Sequence, residues 1–332
     1  MAKSENALAS KIAVIGCGHW GKNLVRNFHQ LNALGCVCDV NAGTADKMAS
    51  AHGVPARPYD DILADKEIKG IAIATPAETH AKTADAALRA GKNVFVEKPL
   101  SLKVSDAEKL CQIADDTGLV LMVGHLLQYH PGFEKLKEIC TSGELGRVQY
   151  VYSHRLNLGK FRTEENILWS FAPHDISMIL GLLGEEVKTV SATGQSYLNH
   201  NVPDVTTTHI KFADNRAAHV FVSWLHPFKE QRLVVVGDEG MAVFDDLLGW
   251  DEKISLFPHR VDWNGGDPVP SKADREPVPL TEAEPLSIEC RHFLECLANG
   301  ENPRTDGREG LRVLRVLDAA QRSIETGKPQ QP

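Results

Sequence analysis

Two stretches hold residues whose types and spacing suit chemistry. Gly16-Cys-Gly-His-Trp-Gly21 is a GxGxxG that closes the apolar run 11–16 (KIAVIG) and opens a helical pattern. Glycines there let the backbone approach a pyrophosphate, and the helix start offers free N–H groups and a positive dipole end. His19 and Trp20 lie in the same loop. Asp39 ends the next apolar run, 18 residues beyond Gly21 (39 − 21). Its carboxylate can accept from both ribose hydroxyls and repels a 2′-phosphate, which favours NAD over NADP. The plain alternative is a strand–turn–helix with an acid behind the strand. Two further motifs stand at strand ends: Thr75-Pro76-x-x-x-His80 after 68–74, and Glu97-Lys98-Pro99 after 93–96. Ligands of open α/β sheets bind at the carboxyl ends of strands, so both join the cofactor candidates. Their bland alternatives are a solvated lysine and a polar histidine at a helix start.

The second stretch, 168–177 (LWSFAPHDIS), sets His174 directly after Pro173. Proline favours the first helical position, so the spacing predicts a helix that begins there. Ile176, Ile179, Leu180 and Leu183 then form one apolar stripe. His174 points away from it and shares its face with Ser177, Met178 and Gly181. A helix N-terminus disfavours imidazolium. A neutral imidazole near pH 7 suits a general base. Asp175 reads as an acid complementing the dipole of the first turn. A His–Asp metal site needs more ligands at helical spacing, and none stand there, so no metal is expected.

Positioning these residues requires alternating elements. Short apolar runs at 11–16, 34–40, 68–74, 93–97 and 119–123 alternate with helical patterns that follow Gly21 and at 44–51, 79–90 and 105–117. That alternation implies βαβ units and a parallel sheet. Beyond about residue 146 the texture changes. Residues 147–157, 187–198, 205–212, 217–225 and 232–236 are longer, β-branched and partly alternating, as in an antiparallel sheet with one covered face. Residues 250–285 hold six prolines and read as loop with short strands. Helices at 286–299 and 306–326 close the chain. The expected fold is an α/β Rossmann domain over 1–126 and an α+β domain with a large, mostly antiparallel open sheet over 127–332. The final helix can pack on either.

Composition narrows the class. The 332 residues carry a formal net charge of −8 and a pI near 6.0, with 42% hydrophobic residues. No basic excess is present to neutralise phosphates, which argues against nucleic acid. The polar start has no signal-peptide core, and no apolar run reaches membrane-spanning length. The seven cysteines are scattered, without CxxC or Cys/His pairs, so neither a disulfide frame nor zinc is indicated. A reduced, cytoplasmic enzyme is the expectation.

GCGHWG, Asp39, TPxxxH at 75–80 and EKP at 97–99, in this order, resemble the glucose-fructose oxidoreductase / inositol dehydrogenase / MocA (Gfo/Idh/MocA) family. The resemblance extends to 302–324. It implies hydride transfer between nicotinamide and a sugar or polyol carbon, Lys98 as active-site lysine, and an open sheet that often mediates oligomers, commonly a homotetramer. The family usually has an aspartate four residues before the active-site histidine. His174 matches that histidine, but Ser170 stands where the aspartate is common, which puts an aspartate-assisted mechanism in doubt. The block 157–177 is similar to the UDP-N-acetylglucosaminuronic acid 3-dehydrogenases of bacterial surface-polysaccharide synthesis.

That similarity implies a nucleotide-linked uronic acid oxidised at C3, with 2-oxoglutarate regenerating NAD. A base must lie within reach of the departing hydroxyl proton. His174 is favoured, with Lys98 stabilising developing alkoxide; the reverse assignment stays open. Arg155, Lys160 and Arg162 suit carboxylate and phosphate. Asn157 and Asn166 suit sugar hydroxyls, and Trp169 suits a sugar or uracil face. A solvated basic loop and a core tryptophan are the alternatives. Gln128, Tyr129 and His130 are weaker candidates. The rivals are a dehydrogenase of a free sugar, inositol or another nucleotide sugar, and an NAD-binding sensor without chemistry.

Overall fold

In the computed structural model, the described residues are 10–159, 161–163, 165–184 and 186–332. The chain divides into two compact units, one formed by the described part of Met1–Leu126 with Glu284–Leu314, the other by Leu127–Ala283 with Arg315–Pro332.

The first unit alternates strand and helix. It comprises β1 (Lys11–Ile15), α1 (Gly21–Gln30), β2 (Leu34–Cys38), α2 (Ala42–His52), α3 (Tyr59–Ala64), β3 (Ile68–Ile73), α4 (Ala77–Arg89), β4 (Asn93–Glu97), α5 (Val104–Thr117) and β5 (Leu121–Gly124). The strands form a parallel sheet in the order β2-β1-β3-β4-β5. Their side chains are buried on both faces, as helix-covered parallel strands require. The order steps outward from β1 in both directions, so the switch point lies beside the strand that feeds the glycine loop.

One expectation about organisation needs correction. Glu284–Leu314 joins the first unit, and only Arg315–Pro332 stays with the second. Helix α8 (Pro285–Asn299) inserts Phe293 edge-on between Phe28 of α1 and Phe95 of β4, at ring-centroid distances of 6.4 and 5.8 Å. Gly70 of β3 leaves the space that Phe293 and Leu297 fill. Helix α9 (Gly307–Thr326) belongs to both units. In the first, Gly307 and Gly310 pack tightly on Leu121 and Val123 of β5.

The second unit contains α6 (Pro131–Ser142), β6 (Val148–Leu158), α7 (Ile167–Leu183), β7 (Val187–Gln195), β8 (Val205–Phe212), β9 (Ala217–Ser223), β10 (Leu225–Gly237), β11 (Met241–Asp245), β12 (Ile254–Phe257) and β15 (Glu276–Val278). These strands form an eight-stranded sheet in the order β15-β12-β11-β10-β6-β9-β8-β7, antiparallel except for β6 beside β9. β13 (Arg260–Asn264) and β14 (Asp267–Ser271) make a separate, exposed hairpin. Alternation in β8 sends Thr206, Thr208, Ile210 and Phe212 inward, and α7 packs over β6, β8 and β9. The second half of α9 is tied here too: Ser323 Oγ accepts from Ala192 N at 2.9 Å. Among the described residues, no helix is long and apolar enough to cross a membrane.

Candidate functional site

The glycine loop divides its work among three positions. Gly16 has φ +87°, and a Cβ there would stand 2.7 Å from the Ala74 carbonyl oxygen. A Cβ on Gly21 would lie 1.8 Å from the Gly16 oxygen, so this glycine lets α1 pack against the loop. Gly18 has nothing within 4 Å of its Cβ position. Only Gly18 faces open space, and that is where backbone must come close to a ligand rather than to protein. Helix α1 begins behind Trp20 with no side-chain cap and no acid in its first turn, which leaves its dipole end suited to an anion. Asp39 follows β2 directly. Its Oδ2 accepts from Cys17 N at 2.7 Å and its Oδ1 from Asn41 N at 2.9 Å, so the loop backbone itself orients the carboxylate. His19 is exposed. The cradle, the open glycine and the oriented carboxylate fit a dinucleotide.

At the end of β3, Thr75 is half-buried and Pro76 starts α4 from an exposed position. His80 differs from its expected role. It is buried, with Nδ1 2.7 Å from the Pro99 carbonyl and Nε2 2.9 Å from that of Thr75. Burial holds its pKa below that of free imidazole, although both carbonyls pull the other way. With each ring nitrogen against a backbone oxygen, His80 ties the β3 end to the Glu97-Lys98-Pro99 turn. Lys98 is half-buried in that turn. Glu97 is buried, and Trp20 Nε1 donates to its Oε1 across from the glycine loop. Burial pushes the Glu97 carboxyl up to about 7, against the pull of the Trp20 hydrogen bond and the Lys98 charge.

The sequence reading misses what stands behind Glu97. Glu289 of α8 is fully buried and its carboxyl is held well above the usual range, first by burial and then by the charges of Glu97 and Glu309. His125, just past β5, contacts Glu309 through Nδ1. One signal was legible: Leu286, Glu289, Cys290, Phe293 and Leu294 share one helical stripe, and an acid on an apolar stripe invites the question of its partner.

In the second unit, His174 does not lie at a helix start. Helix α7 begins at Ile167, one turn and more before Pro173, which sits in the helix interior. Asn166 is the cap: its Oδ1 accepts from Trp169 N at 3.2 Å. A side-chain cap outweighed the proline cue, and the dipole argument for a neutral His174 falls with it. The stripe of Ile176, Ile179, Leu180 and Leu183 is buried as expected, but so are Ser177 and Met178 on the His174 side. His174 is half-buried amid these, and Ser170 is buried one turn before it.

The residues expected to read substrate are mostly occupied elsewhere. Arg155, on β6, is buried and forks onto Asp175, Nε to Oδ2 at 2.8 Å and Nη2 to Oδ1 at 3.1 Å. Ser153 Oγ donates to the same carboxylate. Asp175 is therefore the buried end of an ion pair and not a first-turn acid. Asn166 Nδ2 and Trp169 Nε1 both donate to Gln321 Oε1 of α9, at 2.8 and 3.2 Å, which makes them anchors of α7. Arg162 is 40% exposed at its side chain and pairs with Glu165 at 2.8 Å. Asn157 is half-buried near the end of β6. Lys160 lies outside the described residues. Gln128, Tyr129 and His130 are buried; Gln128 Nε2 donates to the Ser177 carbonyl at 2.8 Å, and His130 Nδ1 accepts from Gly132 N to cap α6. Among the described residues, no group of three or more His, Cys, Asp or Glu side chains is placed to hold a metal ion.

Comparison with known proteins agrees with this layout. The family described as "Oxidoreductase family, NAD-binding Rossmann fold" matches residues 10–125, and the GFO/IDH/MocA C-terminal domain matches residues 133–243. The chain is 27% identical to the scyllo-inositol 2-dehydrogenase (NAD(+)) of Bacillus subtilis, over 97% of this chain and 96% of that one. It is also 27% identical to the UDP-N-acetylglucosamine 3-dehydrogenase of Acidithiobacillus ferrooxidans, over 92% and 94%. A solved structure of the latter superposes with a TM-score of 0.83 at 26% identity, covering 95% of this chain and 98% of that one.

Proposed function

The chain belongs to the Gfo/Idh/MocA oxidoreductases, an NAD-dependent dehydrogenase acting on CH–OH groups, and from that premise we propose that it oxidises the C3 hydroxyl of UDP-N-acetylglucosaminuronic acid. The observation that carries the reading is the likeness, along nearly the whole chain, to a nucleotide-sugar 3-dehydrogenase, joined to the block 157–177 around His174. NAD, when bound, accepts the hydride. Gly18 lets the loop backbone approach its pyrophosphate, Gly16 and Gly21 shape the turn that presents it, and Asp39 holds its adenosine ribose. His174 takes the proton of the C3 hydroxyl, and Lys98 stabilises the oxygen as negative charge develops. Alanine at either position should lower kcat by about 100-fold or more, whichever of the two is the base. In this proposal, 2-oxoglutarate reoxidises the bound cofactor, and the product feeds polysaccharide sugar synthesis by a homotetramer in the cytoplasm.

A second reading follows from one specific feature. Arg155 and Arg162 are each paired with a carboxylate of the chain, which favours a sugar without its own carboxylate, such as UDP-N-acetylglucosamine. Anaerobic mixing with each sugar, following the near-ultraviolet band of reduced nicotinamide, separates them. A stoichiometric burst with the uronic acid, discharged by 2-oxoglutarate, supports the first reading. A burst only with the neutral sugar establishes the second. Reduction by neither, with NAD bound, returns the choice to inositols and free sugars.

A further inference from the structure

Glu97 is part of a buried set of acids that the hydride transfer itself does not require. Its carboxylate takes the Trp20 hydrogen bond on one side, and a Cβ on Gly124 would stand 2.9 Å from its Oε2 on another. Glu289 is 0% exposed, and neither of its carboxyl oxygens has a hydrogen-bond partner. The charged and titratable groups acting on this pair come from each neighbouring element: Lys98 from the same strand end, His125 from the end of β5, Cys290 from α8, and Glu309 from α9. Two carboxylates cannot both ionise at close quarters in a dry interior. Glu289, with no donor to stabilise its anion, keeps its proton. Glu97 has a donor and a nearby cation, so it is the member that titrates, near pH 7.

Its place in the sheet gives that titration a target. The pyrophosphate loop follows β1, and Asp39 claims the adenosine ribose on the β2 side. In the order β2-β1-β3-β4-β5 the nicotinamide half must extend the other way, over the ends of β3 and β4, where Glu97 stands. The oxidised ring carries a positive charge and the reduced ring does not. We propose that the Glu97–Glu289 pair binds more protons when the cofactor is reduced than when it is oxidised, so that this chain sets its relative affinity for NADH and NAD by pH. The balance is simple. Oxidation of CH–OH moves two electrons and one hydrogen to the ring and releases one hydroxyl proton. The ring loses its charge, and Glu97 takes up a proton in compensation, so fewer protons reach solvent than the reaction releases. The inference rests on NAD binding and not on which sugar is oxidised.

The test uses the full chain freed of nucleotide, without any sugar, so failure of the proposed sugar oxidation does not enter it. NAD and NADH are titrated separately by calorimetry between pH 6 and 8, in two buffers of different ionisation enthalpy. NADH binding should take up protons relative to NAD binding near pH 7. The ratio Kd(NADH)/Kd(NAD) should rise with pH, by up to about tenfold per unit. Glu97→Gln should bind both forms with a pH-independent ratio. Glu289→Gln, neutral like the protonated Glu289 it replaces, should leave that dependence and its midpoint in place. Equal proton counts for the two cofactors overturn the proposal. So does a pH dependence that survives Glu97→Gln, or one that Glu289→Gln abolishes.

Discussion

The Arg155–Asp175 pair offers the sharpest test of how the second unit holds His174. Its side chains are 10% and 1% exposed, and two of the guanidinium nitrogens meet the two carboxylate oxygens. Solvent screening that reduces surface pairs to about 0–1 kcal/mol is therefore largely absent. Asp175→Ala leaves a buried guanidinium without its counter-ion and deprives Ser153 Oγ of an acceptor. Removing one partner of such a pair costs about 3–5 kcal/mol, which at about 2–4 °C per kcal/mol lowers the melting temperature of a unit this size by roughly 10 °C. Replacing both partners, Arg155→Met with Asp175→Leu, removes the stranded charge and should recover most of the loss. Urea unfolding followed by tryptophan fluorescence gives the cycle, since Trp169 and Trp224 both lie in this unit. We expect a coupling energy of about 2 kcal/mol or more. Asp175 adjoins His174, so Asp175→Asn should also lower kcat more than KM changes. A coupling below about 1 kcal/mol would show that the pair is screened and that α7 is held by its apolar stripe and its Gln321 anchors.

Three further outcomes follow from the first unit. Gly21→Ala places a Cβ on the Gly16 oxygen and should cost about 2 kcal/mol or more in denaturant unfolding, whereas Gly18→Ala should leave stability within about 0.5 kcal/mol yet weaken NAD binding, measured by NADH fluorescence, at least about tenfold. Asp39→Ala removes the carboxylate that repels a 2′-phosphate; the preference for NAD over NADP should fall by about tenfold or more in Kd, and an unchanged preference refutes the assigned ribose contact. The Glu97 carboxyl is raised from about 4.5 to about 7 on folding, so its contribution is fully present below pH 4.5 and is lost as pH rises through 7, about 3 kcal/mol in all. Unfolding curves of wild type and Glu97→Gln should accordingly diverge between pH 5 and 8, with the variant flatter; parallel curves would refute the shift.

Much of the fold was legible because its signals are local. Apolar runs bounded by helical patterns mark β1 to β5 within a residue or two, since strands buried on both faces need continuous apolar sequence. The glycine loop and Asp39 were legible for a similar reason: tight turns and close backbone approach demand particular residues at fixed offsets. His174 was picked out, but its helix was started too late. The spacing cue of Pro173 was read alone, while Asn166, a better cap, stood seven residues earlier. The roles given to Asn166, Trp169 and Arg155 rested on side-chain chemistry that serves an internal partner as readily as a ligand.

By itself, then, the sequence determined the two sheets and the dinucleotide cradle, and it nominated Lys98 and His174 as candidates, because periodicity, glycine placement and motif order depend on neighbours along the chain. The tertiary structure alone decided which polar groups have partners. Arg155 meets Asp175, His80 meets Thr75 and Pro99, Asn166 and Trp169 meet Gln321, and Glu97 shares its interior with Glu289. Such pairings join residues far apart in sequence, and burial makes them matter: a charge or hydrogen-bonding group removed from water must find its counterpart wherever the fold brings one.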